Sequence, residues 1–455
     1  MIRSTQGRRR RCIRPGLPVY LGAAAARLVR GGADALLFGL LGLTLLGGPN
    51  ALAQEFKDIR LASGFDLQTA QYAAEGRHLL IWIPSKYGVR AGHPEFGSAV
   101  QREGIDFWLI DLHTSYRAPR GRHAYEQFRS QHIKELIDHA VLNGWQSIVL
   151  GGESRGAALA MQAARQWQIE NPGCTALKGM LFYHPHLIDG HTAIGERADF
   201  LPIARSTNLP IYLFQPQHSS KYLHSQELVE QLQLGGTAVY FHFLPGVRGG
   251  FHIRPAAHLS PREAEERDLV GERIRHAVNL LARLPSPKRA AVPAVDPTRA
   301  RPAEVAEQGA LTPLRTDQVP PLRLVDGSGQ WFDLAEHPGE VILVNFWASW
   351  CNPCVKEIAS LTRLVERFEG QPFRVLAVNV GESTAHVAAF FQELGISPNF
   401  DVLFDLDGEA ARAWKVYAVP STYLLDRQQG RRYGHRGALR WDQSSVVDTV
   451  QDLLQ

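Results

Sequence analysis

Two cysteines separated by two residues stand where an apolar strand gives way to a helix. The run from Val341 to Trp347 predicts a buried strand, residues 348–354 read ASWCNPC, and helical apolar spacing continues to about Phe368. Another strand is predicted over residues 374–380. This order predicts a β-α-β unit carrying a C-x-x-C pair. With only four cysteines in 455 residues, a disulfide-stapled scaffold is excluded.

The position of the pair predicts redox chemistry. Cys351, at the start of the helix, meets unpaired N–H groups and the positive end of the helix dipole, which favour an attacking thiolate. Cys354, one helical turn later, is the expected resolving thiol. Pro353 fits the first turn because its missing N–H would have no helical partner there. The alternative, a zinc site, needs two further ligands, and the sequence provides none near the pair.

A proline ahead of a later strand extends the pattern. Pro420 follows Val419 and precedes a strand predicted over residues 423–425. Val419-Pro420-Ser421-Thr422 resembles the cis-proline segment of the thioredoxins, which implies a cis bond that presents backbone groups beside the sulfurs for pairing with a substrate strand. An ordinary trans proline before a strand is the alternative.

Residues 313–455 resemble the TlpA/ResA-type exported thiol–disulfide oxidoreductases, which have a thioredoxin fold. The resemblance rests on the Pro320-Pro321 lead-in to a hairpin over 322–334, NFWASWCNPC, Glu357 and Trp414-x-Val416-x-x-x-Pro420. It implies that Glu357 handles the proton of Cys354; a surface glutamate is the alternative. It also implies protein disulfides as substrates, the reducing direction and a membrane-bound thiol electron donor. Thioredoxin itself has a buried Asp where this chain has Asn345.

A segment rich in proline and alanine divides the chain. Residues 285–312 contain five prolines and no aromatic residue, and they lack the apolar periodicity of a helix or strand. They predict a semi-extended linker between a body at 54–284 and a body at 313–455.

The first body alternates strands and helices. Strands are predicted at 78–83, 107–111, 148–150, 180–183, 211–214 and 239–244, with helices at 125–141 and 157–168. This alternation predicts an α/β fold with a mainly parallel sheet covered by helices on both faces.

Residues 152–156 read GESRG, which matches G-x-S-x-G between a strand and a helix. On the basis of this motif, residues 75–260 resemble the α/β-hydrolases. The resemblance implies Ser154 as a nucleophile, His252 as its base and Asp189 as a substitute acid, because no carboxylate follows the strand at 211–214. His242 and His258 are weaker candidates for the base. A degenerate hydrolase that only binds a ligand is the alternative.

The N-terminus has the pattern of an export signal. An Arg-rich stretch precedes an apolar run over 35–46 and the small-residue site Ala51-Leu52-Ala53, which predicts cleavage after residue 53 and a bacterial periplasmic protein. A retained membrane anchor is the alternative. Residues 1–53 hold eight of the 49 basic and one of the 45 acidic residues, so residues 54–455 carry a net charge of −3. This balance gives no reason to expect nucleic acid binding.

The sequence as a whole predicts a periplasmic thiol–disulfide oxidoreductase, most simply a reductase, without a cofactor or bound metal. His184, His186 and His191 match no zinc spacing and are expected at the rim of the sheet. Two alternatives remain for the first body. It is either a serine esterase or peptidase, or a module that binds an ester, peptide or glycan.

Overall fold

The computed structural model describes residues 55–188, 194–195, 199–294, 310–314 and 319–455. The predicted leader, Asp189, His191 and the middle of the predicted linker lie outside the described residues. Within them, the chain forms two eight-stranded sheets with flanking helices. No helix in these ranges is both long and apolar enough to span a membrane.

The first sheet is mainly parallel. Its strands are β1 (Phe56–Arg60), β2 (Asp66–Tyr72), β3 (Leu79–Ile83), β4 (Asp106–Ile110), β5 (Ile148–Glu153), β6 (Leu177–Tyr183), β7 (Ile211–His218) and β8 (Val239–Arg248). Their order is β1-β2-β4-β3-β5-β6-β7-β8. β2 pairs antiparallel with both of its neighbours, whereas the strands from β4 to β8 pair in parallel.

Helices cover both faces of this sheet. They are α1 (His93–Arg102), α2 (Leu112–Ser115), α3 (Arg122–Tyr125), α4 (Ser130–Leu142), α5 (Gly156–Glu170), α6 (Ser225–Leu234), α7 (Pro261–Asp268) and α8 (Val270–Arg283). One core packs α4 and α5 against the sheet, and a second core packs α1 and α8 against the opposite face. Every residue of β3 (LLIWI) is buried, as expected for a central parallel strand covered on both faces.

Sequence periodicity missed several elements of this body. The predicted helix over 125–141 is two helices, α3 and α4, and strands β1 and β2 and helix α1 were not predicted. β1 is half exposed at the edge of the sheet and α1 begins with His93-Pro94, so neither shows a clean apolar period.

The second sheet is mixed. Its strands are β9 (Thr312–Pro313), β10 (Arg323–Asp326), β11 (Trp331–Asp333), β12 (Val341–Trp347), β13 (Phe373–Val380), β14 (Asp401–Asp405), β15 (Ser421–Leu425) and β16 (Arg431–Arg436). The helices are α9 (Asn352–Arg367), α10 (Thr384–Glu393), α11 (Glu409–Ala413) and α12 (Ser444–Leu454). Short 3-10 helices span Pro202–Arg205, Tyr222–His224, Phe251–Ile253, Ala256–His258 and Leu334–Glu336.

The central strand of the second sheet is β12. It pairs in parallel with β13 and antiparallel with β15, and all seven of its residues are buried. The predicted hairpin is formed by β10 and β11, which pair antiparallel. α9 and α12 pack together on one face of this sheet. The β-α-β unit predicted around the cysteines is therefore present as β12, α9 and β13.

Both described ends of the predicted linker are bonded to the neighbouring bodies. Arg165 Nη1 donates to Ala291 O at 2.6 Å, and Gly173 N donates to Lys288 O at 2.8 Å. At the other end, β9 pairs with β16. The first ten residues of the proline-rich segment thus lie along the first body.

The two bodies contact each other beside the cysteines. The His218 ring, at the end of β7, stacks on the Trp350 indole with ring centroids 6.3 Å apart. Gln217 Nε2 lies 3.5 Å from Gly381 O. The carboxyl end of β7 therefore lies against the loop that precedes Cys351.

Candidate functional site

Cys351 and Cys354 form a disulfide at the start of α9, with Cα atoms 5.3 Å apart. Cys351 is the N-cap residue of the helix, and its Sγ accepts a hydrogen bond from the backbone N–H of Cys354 at 3.3 Å. Cys351 is 5% exposed and Cys354 only 1% exposed. The more accessible sulfur therefore sits at the positive end of the helix, where an attacking thiolate is stabilised.

Pro420 lies beside the disulfide. The Val419–Pro420 peptide bond is cis, as its position in the sequence predicted. Val419 O is 3.4 Å from Cys351 Sγ, and β15 begins at the next residue, Ser421. The backbone next to Cys351 is thus held by a strand that pairs with β12.

Glu357 is buried on α9, one helical turn after Cys354. Its carboxylate accepts hydrogen bonds from Asn345 Nδ2 at 2.9 Å, Trp441 Nε1 at 3.1 Å and Leu439 N at 3.2 Å. Burial raises the pKa of Glu357 to about 7 despite these three donors. At 2% exposure it is no surface glutamate, and a carboxyl group with this pKa can exchange protons near neutral pH.

A second buried glutamate supports the loop before Cys351, and sequence reasoning missed it. Glu382 is 3% exposed and accepts hydrogen bonds from the backbone N–H and the hydroxyl of Ser349, and from Asn379 Nδ2. The only sequence signal was an acidic residue just after an apolar strand. Glu382 therefore holds Ser349, the residue immediately before Trp350, in position.

Ser154 sits on a sharp turn between β5 and α5. Its φ of 51° is in the left-handed region, which costs energy for a residue with a side chain. Gly156 permits the turn, because a Cβ there would lie 2.3 Å from Ile83 O. This strained strand-to-helix turn has the geometry of a nucleophile elbow.

The structure brings His252 to Glu153 and not to Ser154. His252 is buried, and its Nε2 lies 3.1 Å from Glu153 Oε2. Ser154 Oγ makes no hydrogen bond to any described residue. Since Asp189 lies outside the described residues, the predicted triad stays a prediction, but its serine and histidine are not paired here.

Glu153 is a functional candidate that the G-x-S-x-G motif did not indicate, because it occupies a variable position of that motif. His93 Nε2 lies 3.8 Å from Glu153 Oε1, whereas His252 approaches the other carboxylate oxygen, Oε2. Burial alone would raise the pKa of the Glu153 carboxyl, but hydrogen bonding and charge from His252, and the charges of His93 and His184, hold it well below its usual range. Burial lowers the pKa of His93 to about 4. The cluster therefore places the Glu153 carboxylate directly before Ser154 in the chain, where it pairs with the histidines rather than with the serine.

A cleft of about 370 Å³ opens at the elbow and is lined by residues of both bodies, including Ser154 and Trp350. His184 and His186 line it, which fits the predicted rim position at the end of β6. Within the described residues, no cluster of His, Cys, Asp and Glu is arranged to hold a metal ion.

Comparison with known proteins finds relatives of the second body. Residues 316–431 match the AhpC/TSA family. ResA from Bacillus subtilis, a thiol-disulfide oxidoreductase, is 35% identical over 108 residues, which are 24% of this chain and 59% of ResA. DsbE from Yersinia pestis, a thiol:disulfide interchange protein, is 34% identical over 131 residues, which are 28% of this chain and 67% of DsbE.

The solved structures that align also cover this body. The structure of a secreted thiol-disulfide isomerase from Corynebacterium glutamicum aligns with 33% of this chain and 95% of its own, at 20% identity and a TM-score of 0.29. The chain spans 59% of the length of ResA from Bacillus subtilis and 62% of that from Geobacillus kaustophilus.

Proposed function

The C-terminal domain of this chain belongs to the thiol–disulfide oxidoreductases that include ResA and DsbE, and on this basis we propose that the protein exchanges protein disulfides through Cys351 and Cys354. The observation that carries the proposal is the pair itself, with Cys351 at the N-cap of α9 beside the cis peptide before Pro420. The domain limits 54–284 and 313–455, and the linker between them, are part of the proposal.

The proposed reaction starts from the reduced thiols of Cys351 and Cys354 and oxidises them to a disulfide. The Cys351 thiolate attacks one sulfur of a substrate disulfide, so that a mixed disulfide forms and the other substrate sulfur leaves as a thiolate. Cys354 then loses its proton and attacks Cys351 Sγ, which releases the second substrate thiolate and forms the disulfide seen in the structure. Two electrons pass from the protein to the substrate. Glu357 is the proposed acceptor of the Cys354 proton.

The pair must be reduced again before the next cycle, and we propose a membrane-bound thiol carrier as the donor. An exported location supports this, because the N-terminal residues have the Arg-rich, apolar and small-residue regions of a signal peptide. The reducing direction rests on the resemblance to ResA-type proteins. We therefore propose a periplasmic reductase.

A redox titration of Cys351 and Cys354 tests the direction. We expect a midpoint nearer to that of thioredoxin, about −270 mV, than to the value of about −120 mV that marks a strong periplasmic oxidant. The measurement is thiol alkylation and mass determination after equilibration with glutathione or dithiothreitol buffers of known potential. A midpoint near the oxidising value would contradict a reductase while leaving thiol–disulfide exchange intact.

For the first body we propose a hydrolase-like domain that binds a ligand without cleaving it. The supporting observation is that His252 contacts Glu153, whereas Ser154 Oγ has no hydrogen bond to a described residue. A serine needs a base within hydrogen-bond reach to become a strong nucleophile. A serine esterase or peptidase is the competing function.

Labelling with a fluorophosphonate separates these two functions. We expect Ser154 to react no faster than the background labelling of a Ser154→Ala variant, because no described residue accepts a hydrogen bond from its hydroxyl. The readout is intact mass and the modified peptide. Labelling that is stoichiometric in the natural chain and absent from Ser154→Ala would establish an activated serine and overturn the binding-only proposal.

A further inference from the structure

The cleft at Ser154 is lined by cationic side chains. Those that the inference uses are Lys86, Arg155, Lys221 and Arg254. None of the described residues that line the cleft is a carboxylate. α5 adds to this charge, since the positive end of its dipole lies at Gly156 beside Ser154. We call this region the basic cleft.

Among the described residues, Arg248 of the basic cleft is neutralised by a carboxylate, whereas Lys221 and Arg254 have only neutral hydrogen-bond partners. Arg248 also lines the cleft, and its Nε donates to Glu263 Oε1 at 2.7 Å. By contrast, Lys221 Nζ contacts a serine hydroxyl at 3.0 Å, and Arg254 Nη2 donates to a backbone carbonyl at 3.3 Å. Neither Lys221 nor Arg254 has an ion pair with a described residue. Burial, and then the charges of Lys86 and Arg155, lower the pKa of Lys221 to about 8, as expected where cations crowd together.

Several polar atoms of the basic cleft also lack hydrogen-bond partners. Four lining residues each have a buried nitrogen without a partner among the described residues: His184 Nε2, His186 Nδ1, Arg254 Nε and Trp350 Nε1. Buried polar groups are normally hydrogen-bonded, so a group of unused nitrogens in one cavity indicates that something else completes them. An oxyanion would satisfy both the charges and the donors.

We propose that the basic cleft binds a small anion that carries two or more oxyanion groups, either carboxylates or phosphates. Its volume of about 370 Å³ is that of a small-molecule site. Because Trp350 lines the cleft and directly precedes Cys351, the bound anion touches residues 348–351, which we call the redox loop, as well as the hydrolase-like domain. The proposal does not depend on the direction of the redox reaction.

Calorimetry of the oxidised full chain, with citrate and pyrophosphate as separate probes at low salt, tests the proposal. We expect saturable binding of one anion per chain, and the probe that binds more tightly assigns the carboxylate or phosphate chemistry. Lys221→Gln and Lys86→Gln should each lower the association constant at least ten-fold. Added NaCl should weaken binding, as for any site dominated by charge.

Lys57→Gln is the matched control. Lys57 is exposed on β1, at the far edge of the same sheet, and its replacement removes one positive charge outside the cleft. It should leave the association constant unchanged. Absence of binding of both probes to the natural chain, or equal weakening by Lys57→Gln and Lys221→Gln, would overturn the proposal. A thermal shift by the tighter probe in the natural chain, lost in Lys86→Gln, provides a readout that does not depend on Lys221.

Discussion

Replacing Cys354 with alanine is expected to stop turnover completely and to leave disulfide substrates covalently attached to Cys351. The mixed disulfide forms when the Cys351 thiolate attacks, and Cys354 is the only described thiol positioned to break it, because its backbone N–H already contacts Cys351 Sγ at 3.3 Å. At 1% exposure Cys354 does not compete for substrate itself. The adduct should therefore approach one substrate per chain.

The adduct is measured as a species that is resolved on a non-reducing gel, disappears on reduction, and is identified by mass spectrometry. Cys351→Ala is the matched control, since it removes the attacking sulfur and should form no adduct although Cys354 is still present. Adducts that form equally in both variants would show that the assignment of attacking and resolving roles is wrong. Their absence from both would contradict the proposed exchange reaction.

The second body was predictable because its signals are local in sequence. A buried strand, a C-x-x-C pair and an amphipathic helix follow one another directly, and the chain geometry then leaves few places for Cys351 and Cys354. Pro420 lies far along the chain, and it was identified by resemblance to the thioredoxin cis-proline segment; the pairing of β15 with β12 then brings it beside Cys351. The role of Glu357 came from resemblance, and its burial depends on Trp441 at the end of the chain.

The first body was less predictable because its decisive contacts are between distant residues. GESRG correctly indicated the turn at Ser154, but the sequence does not show which way the His252 ring faces. The ring turns to Glu153, which the motif treats as an arbitrary residue. Glu382 escaped for the same reason, because its partner Ser349 is 33 residues earlier. Side-chain direction is set by tertiary packing, and the periodicity of apolar residues in the sequence does not reveal it.

Contacts from both bodies position the loop before Cys351. The loop that carries Trp350 and Cys351 is fixed from one side by Glu382 and touched from the other by His218. The end of β7 and the turn after β5 belong to the same edge of a parallel sheet, and Ser154 in that turn lines the same cleft as Trp350. The cysteine pair and the basic cleft are therefore neighbours, since Trp350 lines the cleft and directly precedes Cys351.

Replacing Glu357 with glutamine is expected to remove a pH dependence of stability and to slow resolution of the mixed disulfide. Burial raises the pKa of Glu357 from 4.5 to about 7, so the folded protein holds this proton more tightly than the unfolded chain. Its stabilising effect is present at low pH and is lost as pH rises through about 7. The free energy of unfolding should fall by about 2 to 3 kcal/mol more in the natural chain than in Glu357→Gln between about pH 5 and pH 8.

Glutamine suits the comparison because its carbonyl oxygen can still accept from Leu439 N and Trp441 Nε1, so the change removes the charge and keeps much of the packing. Unfolding is followed in urea on the oxidised protein, whose disulfide does not titrate.

In single-turnover reduction of a protein disulfide, loss of the proton acceptor should slow the second step, the attack of Cys354 on the mixed disulfide, by about 100-fold or more while the attack by Cys351 keeps its rate. Glu366→Gln, at an exposed position of α9, is the matched control and should behave like the natural chain. Parallel pH profiles for the natural chain and Glu357→Gln would mean that Glu357 keeps an ordinary carboxyl pKa, and the proton-transfer role would then be wrong.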